Sequence, residues 1–199
     1  MDAERLRRLI ERIDGLNAQD PNTELVNGVA CPRELVYSQR VTDWVLRLQA
    51  EASEELRIAA RGQHLCRWTI PRERYARNRR GYLRWRETLK TFHAQRVGEL
   101  MLEVGYPALI IQRVHTIMSK RQLETDADTQ TLEDALCLVF LETQFVQLRG
   151  KTPDDTMREI LRKTWRKMSA RGRQAALQLP LDEEGKRLLS QALSAESPS

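Results

Sequence analysis

No two cysteines in the sequence stand at CxxC spacing. Cys31, Cys66 and Cys137 are odd in number and far apart, which argues against a zinc ribbon or a disulfide framework and fits a reducing cytoplasm. All three are expected to be small core residues. No apolar run approaches the roughly 18 residues of a membrane helix. The charged start MDAERLRRLIER is not that of a secretory signal, so no membrane partner is expected. The chain also lacks a phosphate-cradling glycine loop, a GxSxG elbow and an HExxH pair. Nucleotide-kinase, serine-hydrolase and zincin readings therefore have no support. There is no repeat, no low-complexity segment and no convincing period-two alternation.

What remains is helical. With 199 residues, 41% hydrophobic and 31% charged, the chain is globular and large enough for a substantial core. Leu6, Leu9, Ile10 and Ile13 share one face of a first helix, and QDPNTELVNGVA reads as a loop. Pro32 opens a second helix. Ser53 caps a third, which runs to about Trp68 with Glu54 and Glu55 in its first turn. A long helix spans about Tyr82 to Gly105, and Pro107 opens the next. A strongly apolar helix runs from Thr129 to about Leu148. A basic amphipathic helix and a last short helix near Asp182 to Leu193 follow within 153–193, and a frayed tail covers 194–199. The expected fold is one all-α domain, residues 1–199, of seven or eight helices.

The net charge of +5 is concentrated. Arg61 to Arg96 holds eleven Lys or Arg against only Glu73 and Glu87, which points to an anionic partner. In RWTIPRERYARNRRGYLRWR, arginines alternate with Trp68, Tyr75, Tyr82 and Trp85. Guanidinium forks bind phosphate or carboxylate bidentately, and aromatic faces stack on bases. Arg67, Trp68, Arg72, Arg80, Tyr82 and Arg84 are the candidate substrate-binding residues of this segment. It follows His64 closely and leads into the helix carrying His93, so it is placed to overhang any site the histidines form. A small phosphorylated or polyanionic ligand fits such a lid; a flat basic face would suit RNA.

His64, His93 and His115 are the only histidines, each expected on a different central helix. A lone histidine on an apolar face is usually a satisfied core residue, yet imidazole is also the commonest metal ligand, and helices project ligands into bundle cores. The stretch FHAQRVGELMLEVGYPALIIQRVHTIMSK resembles the second half of an HD-domain metal core, through His93, Gly105, Tyr106, Pro107 and His115 in order. YSQRVTDWVLRLQ resembles the first HD helix, ARGQHLCRW the His-Asp helix, and TLEDALCLVFLE the helix of the final aspartate. The resemblance covers about 32–145. GQHLCRWTIPRERY, GYLRWR and LEDALCLVFLE are in addition similar to a family catalogued as domain of unknown function 4202.

Two positions depart from the HD pattern. Tyr37 stands where the first histidine would be, and Leu65 where the bridging aspartate would be. A dinuclear site is therefore not expected. The resemblance implies at most one divalent ion, Zn, Fe or Mn, held by His64, His93, His115 and Asp134. Glu34, three residues before Tyr37 and on nearly the same helical face, can replace the lost ligand; Glu34 or Asp134 would complete the coordination or act as the catalytic base. The implied function is a metal-dependent hydrolase of a phosphorylated or anionic small molecule. Alternatives are an iron oxygenase of the HD type, or a non-catalytic protein binding a nucleotide, RNA or an acidic partner.

Overall fold

The computed structural model describes residues 2–194; beyond Ser194, the expected tail lies outside the described residues. The fold is mostly helical, with ten α-helices among the described residues and one two-stranded hairpin. It divides into two compact units, residues 1–132 and 133–199. No helix among the described residues is long and apolar enough to cross a membrane.

In the first unit, α1 (Asp2–Asn17) buries Leu6, Leu9 and Ile13, the periodic face expected of an amphipathic helix. The next segment corrects the loop expectation. β1 (Thr23–Val26) and β2 (Val29–Pro32) pair antiparallel, with Thr23 opposite Pro32 and Val26 opposite Val29. The turn is Asn27-Gly28, with φ of 51° and 82°, the backbone that a two-residue hairpin of matching twist requires. Strands of four residues, both partly exposed, leave no alternation to read; the Asn-Gly pair was the available signal.

α2 (Arg33–Leu48) begins after Pro32, which offers no capping side chain. Buried Asp20 replaces it, one carboxylate oxygen accepting from the Glu34 N–H at 3.1 Å and the other from the Asn22 N–H at 2.9 Å. The start of α2, and Glu34 with it, is thus pinned from outside the helix. α3 (Glu54–Gly62) is capped by Ser53, whose hydroxyl accepts from the Leu56 N–H at 3.1 Å. It does not continue to Trp68. After Gly62 the chain turns, Cys66 takes a left-handed φ of 55°, and short 3₁₀ turns follow at Arg67–Thr69 and Arg72–Arg74. The fully buried Asn17 side chain accepts from the Cys66 N–H at 3.1 Å and holds this bend. His64 therefore sits in a turn rather than on a helix.

α4 (Arg79–Glu103) starts earlier than expected, because the Asn78 side chain accepts from the Gly81 N–H at 2.8 Å. It ends at Gly105, where φ is 87°. α5 (Ala108–Ser119) follows Pro107, and α6 (Ala127–Val139) carries the boundary between the units at 132/133.

The second unit contains the end of α6, a π-turn (Phe140–Gln144), α7 (Phe145–Arg149), α8 (Asp154–Lys167), α9 (Ala170–Leu177) and α10 (Glu183–Ser194). Its core includes Leu138, Leu141, Phe145, Met157, Leu161 and Leu188. Two expected helices are interrupted, one by the π-turn and one at Met168-Ser169. That accounts for a helix count above seven or eight.

Candidate functional site

Glu34 lies on the first turn of α2 and is 8% exposed. Its Oε2 stands 3.0 Å from His64 Nδ1. On the other side, His64 stacks on Tyr37, with ring centroids 4.0 Å apart and planes within 8°. The His93 ring, on α4 and 3% exposed, lies 5.8 Å from the His64 ring. The Glu34 and Tyr37 side chains, one helical turn apart, thus embrace the same imidazole.

The hydrogen bonds decide which nitrogens are available. His93 Nδ1 donates to the Leu65 carbonyl at 2.9 Å. A carbonyl only accepts, so the proton sits on Nδ1, and His93 Nε2 presents a lone pair. That Nε2 is buried and has no partner among the described residues. Leu65, where the HD pattern has aspartate, is itself fully buried and serves through its main chain.

Electrostatics reinforce the arrangement. Burial, and then the neighbouring His64, press the His93 pKa down to about 3, so it is neutral across ordinary pH. His64 is held well below its usual value, first by burial, then by Arg67, Lys120 and Arg86. Burial raises Glu34 to about 7, against the pull of Arg67, whose Nε is 3.8 Å from Oε1. The 3.0 Å contact to a neutral His64 is therefore a hydrogen bond rather than an ion pair. Two non-glycine residues with positive φ, Cys66 at 55° and Lys120 at 55°, belong to the segments carrying Arg67 and Lys120.

The other expected residues are placed elsewhere. His115, on α5, packs against Gly98 of α4, where an added Cβ would fall 2.6 Å from its Nε2. It lines a separate groove of about 660 Å³ with Ala94, Leu102 and Ile111. Asp134 belongs to the second unit, where it is 2% exposed and accepts from the Ser169 N–H at 2.8 Å and from the Ser169 hydroxyl. Among the described residues, no three His, Cys, Asp or Glu side chains form a group that could hold a metal ion. Of the expected histidine ligands, the structure brings His64 and His93 together.

The arginine segment also divides. Arg67 reaches Glu34 and lies over the Trp85 ring, 4.7 Å from its centroid. Trp85 donates from Nε1 to the Ile70 carbonyl at 2.9 Å and forms a shelf outside the expected substrate-binding set. Arg72 is occupied with the loop, donating to the carbonyls of Tyr75 and Ala76 at 2.8 Å each. Trp68 is half-buried in the first 3₁₀ turn. Arg80, Tyr82 and Arg84 are exposed on the start of α4. Of the expected lid, then, Arg67 is the arginine with a direct contact to the Glu34–His64 pair.

Neither a curated protein nor a solved structure matches the chain. The model of one family, Domain of unknown function (DUF4202), matches residues 7–189. Covering nearly the whole sequence, that match shows that the chain belongs to this family.

Proposed function

We propose that the chain is an HD-like enzyme that hydrolyses a phosphorylated or otherwise anionic small molecule at Glu34, His64 and His93. One observation carries the reading. Both imidazoles are held through Nδ1, His64 by a carboxylate and His93 by a carbonyl. Metal-ligating histidines characteristically carry this second contact, which fixes the ring and aims the other nitrogen.

The unpartnered, buried Nε2 of His93 fits a divalent ion, and the HD resemblance implies one. His64 and His93 would hold it, with Glu34 behind His64, leaving its other positions to water and substrate oxygens. When bound, such an ion lowers the pKa of a water and polarises the phosphoryl group. The protein's own groups supply the rest. Arg67 neutralises the substrate anion, in a field to which Arg86 and Lys120 contribute. Glu34 Oε1, on the Arg67 side, takes a proton as water attacks phosphorus and passes it to the leaving oxygen as the ester P–O bond breaks. The stacked Tyr37 ring holds the plane of the His64 imidazole.

Metal-free protein should release phosphate from a panel of phosphomonoesters and nucleotides only after Mn²⁺, Zn²⁺ or Fe²⁺ is added. His64→Ala and His93→Ala should lose that release. Undiminished hydrolysis by His93→Ala would contradict the assignment, as would no metal-dependent hydrolysis of any phosphorylated compound in the panel.

A further inference from the structure

The start of α4 and the loop before it carry a charge pattern that the histidine centre does not use. Residues 74–84 hold no Asp or Glu. Arg74, Arg77, Arg79, Arg80 and Arg84 are all exposed and have no ion-pair partner among the described residues. Many arginines elsewhere are paired, as Arg61 is with Asp14 and Arg113 with Asp128. Unpaired like charges crowded this closely repel one another. A partner that relieves this is anionic.

The surface has two adjoining hollows that share Asn78. One, of about 610 Å³, is lined by Arg72, Arg77, Arg79 and Tyr82, with Glu73 its one carboxylate. The other, of about 550 Å³, is lined by Arg74, Arg80, Arg84 and Tyr75. With Arg72 held by the loop, the first offers Arg77, Arg79 and the Tyr82 ring, the second three arginines and the Tyr75 ring, and Tyr82 is 42% exposed. The scaffold is built rather than loose. Arg72 clamps the carbonyls of Tyr75 and Ala76, and Gly81 lets α4 touch the loop, since a Cβ there would fall 2.1 Å from the Ala76 oxygen.

We propose that this surface binds a single-stranded polynucleotide, successive phosphates meeting the arginines and bases stacking on Tyr75 and Tyr82. A lone phosphate would satisfy one hollow and leave the other charged. A repeating anion with flat faces between its charges satisfies both, and aromatic platforms beside a basic track are how single strands are held without sequence preference. A duplex hides its base faces, and an acidic protein lacks the repeating flat faces that stack on both tyrosines.

The test is fluorescence polarisation with labelled single-stranded RNA and DNA oligonucleotides over a salt series. Duplex DNA and poly-glutamate serve as competitors. If the five exposed arginines each meet a phosphate, log K should fall with log salt at a slope of about −3.5, and Arg74→Gln/Arg80→Gln/Arg84→Gln should flatten it to about −1.4. That triple variant should bind at least tenfold more weakly at physiological salt, and Tyr82→Ala should weaken binding with the slope unchanged. The triple lysine variant at the same positions, which keeps the charge, should restore the slope, separating charge from misfolding. The RNA and DNA arms identify which strand is preferred. No binding at low salt, undiminished binding by the glutamine variant, or equal affinity for duplex or poly-glutamate would each overturn the proposal.

Discussion

Replacing Glu34 with glutamine should lower turnover of the phosphorylated substrate by about two to four orders of magnitude, the usual contribution of a positioned general acid or base. Glutamine keeps the length and can still hydrogen-bond His64 Nδ1, so the loss reports proton transfer and not a displaced ring. The wild-type kcat/KM profile should carry an acid limb set by Glu34, and the variant should lack it.

Stability should move the other way, measured on metal-free protein. Burial raises Glu34 from 4.5 to about 7 in the folded state, so between those values the folded protein holds a proton that the unfolded chain releases. Its stabilising effect is fully present below about pH 4.5 and is lost as pH rises through about 7, by roughly 3 kcal/mol. Glu34→Gln should therefore be more resistant to urea than wild type at pH 8, and the advantage should shrink toward pH 4.5. Equal stability at all pH values, together with unchanged turnover, would remove Glu34 from the chemistry. A gain in stability paired with lost activity is the usual mark of a functional carboxylate held in an unfavourable place.

The second large effect concerns the other unit. Gly172→Ala should destabilise it by about 2–4 kcal/mol, the cost of overpacking beside a buried charge whose hydrogen bonds are disturbed. A Cβ at Gly172 would lie 2.5 Å from the Asp134 Cγ and 2.6 Å from its Oδ1. The Gly172 N–H donates to the Ser169 hydroxyl at 3.1 Å, and that hydroxyl donates to Asp134. The new methyl group thus meets a carboxylate that is fixed from two sides. Gly15→Ala, with nothing within 4 Å of its Cβ, is the matched control and should be neutral or slightly stabilising. Hydrogen exchange should show the Gly172→Ala loss within residues 133–194. Unchanged protection there would mean the Asp134–Ser169–Gly172 contact carries no weight.

The helices were largely legible in the sequence, because caps such as Ser53 and stops such as Gly105 act locally. The hairpin was not read, since four-residue strands show no alternation and only Asn27-Gly28 marks the turn. Within the site, the juxtaposition of Glu34 and Tyr37 followed from helical spacing, and both meet His64. The grouping of three histidines did not follow. His93 and Gly98 lie five residues apart, about 140° around α4 at 3.6 residues per turn. One side of α4 therefore gives His93 to the turn after α3, while the other gives Gly98 to His115. Periodicity marks both positions as inward but not which neighbour each faces. For Asp134, the deciding partner, Ser169, lies 35 residues along the chain, beyond anything helical spacing encodes.

The central claim is that His64 and His93, without His115, form the metal-holding pair. Calorimetric titration of Mn²⁺ or Zn²⁺ into metal-free wild type, His93→Ala and His115→Ala tests it most directly. Wild type and His115→Ala should each take up one ion per chain, and His93→Ala should take up none. Loss of binding in His115→Ala to the same extent as in His93→Ala, or no uptake by wild type, would contradict it.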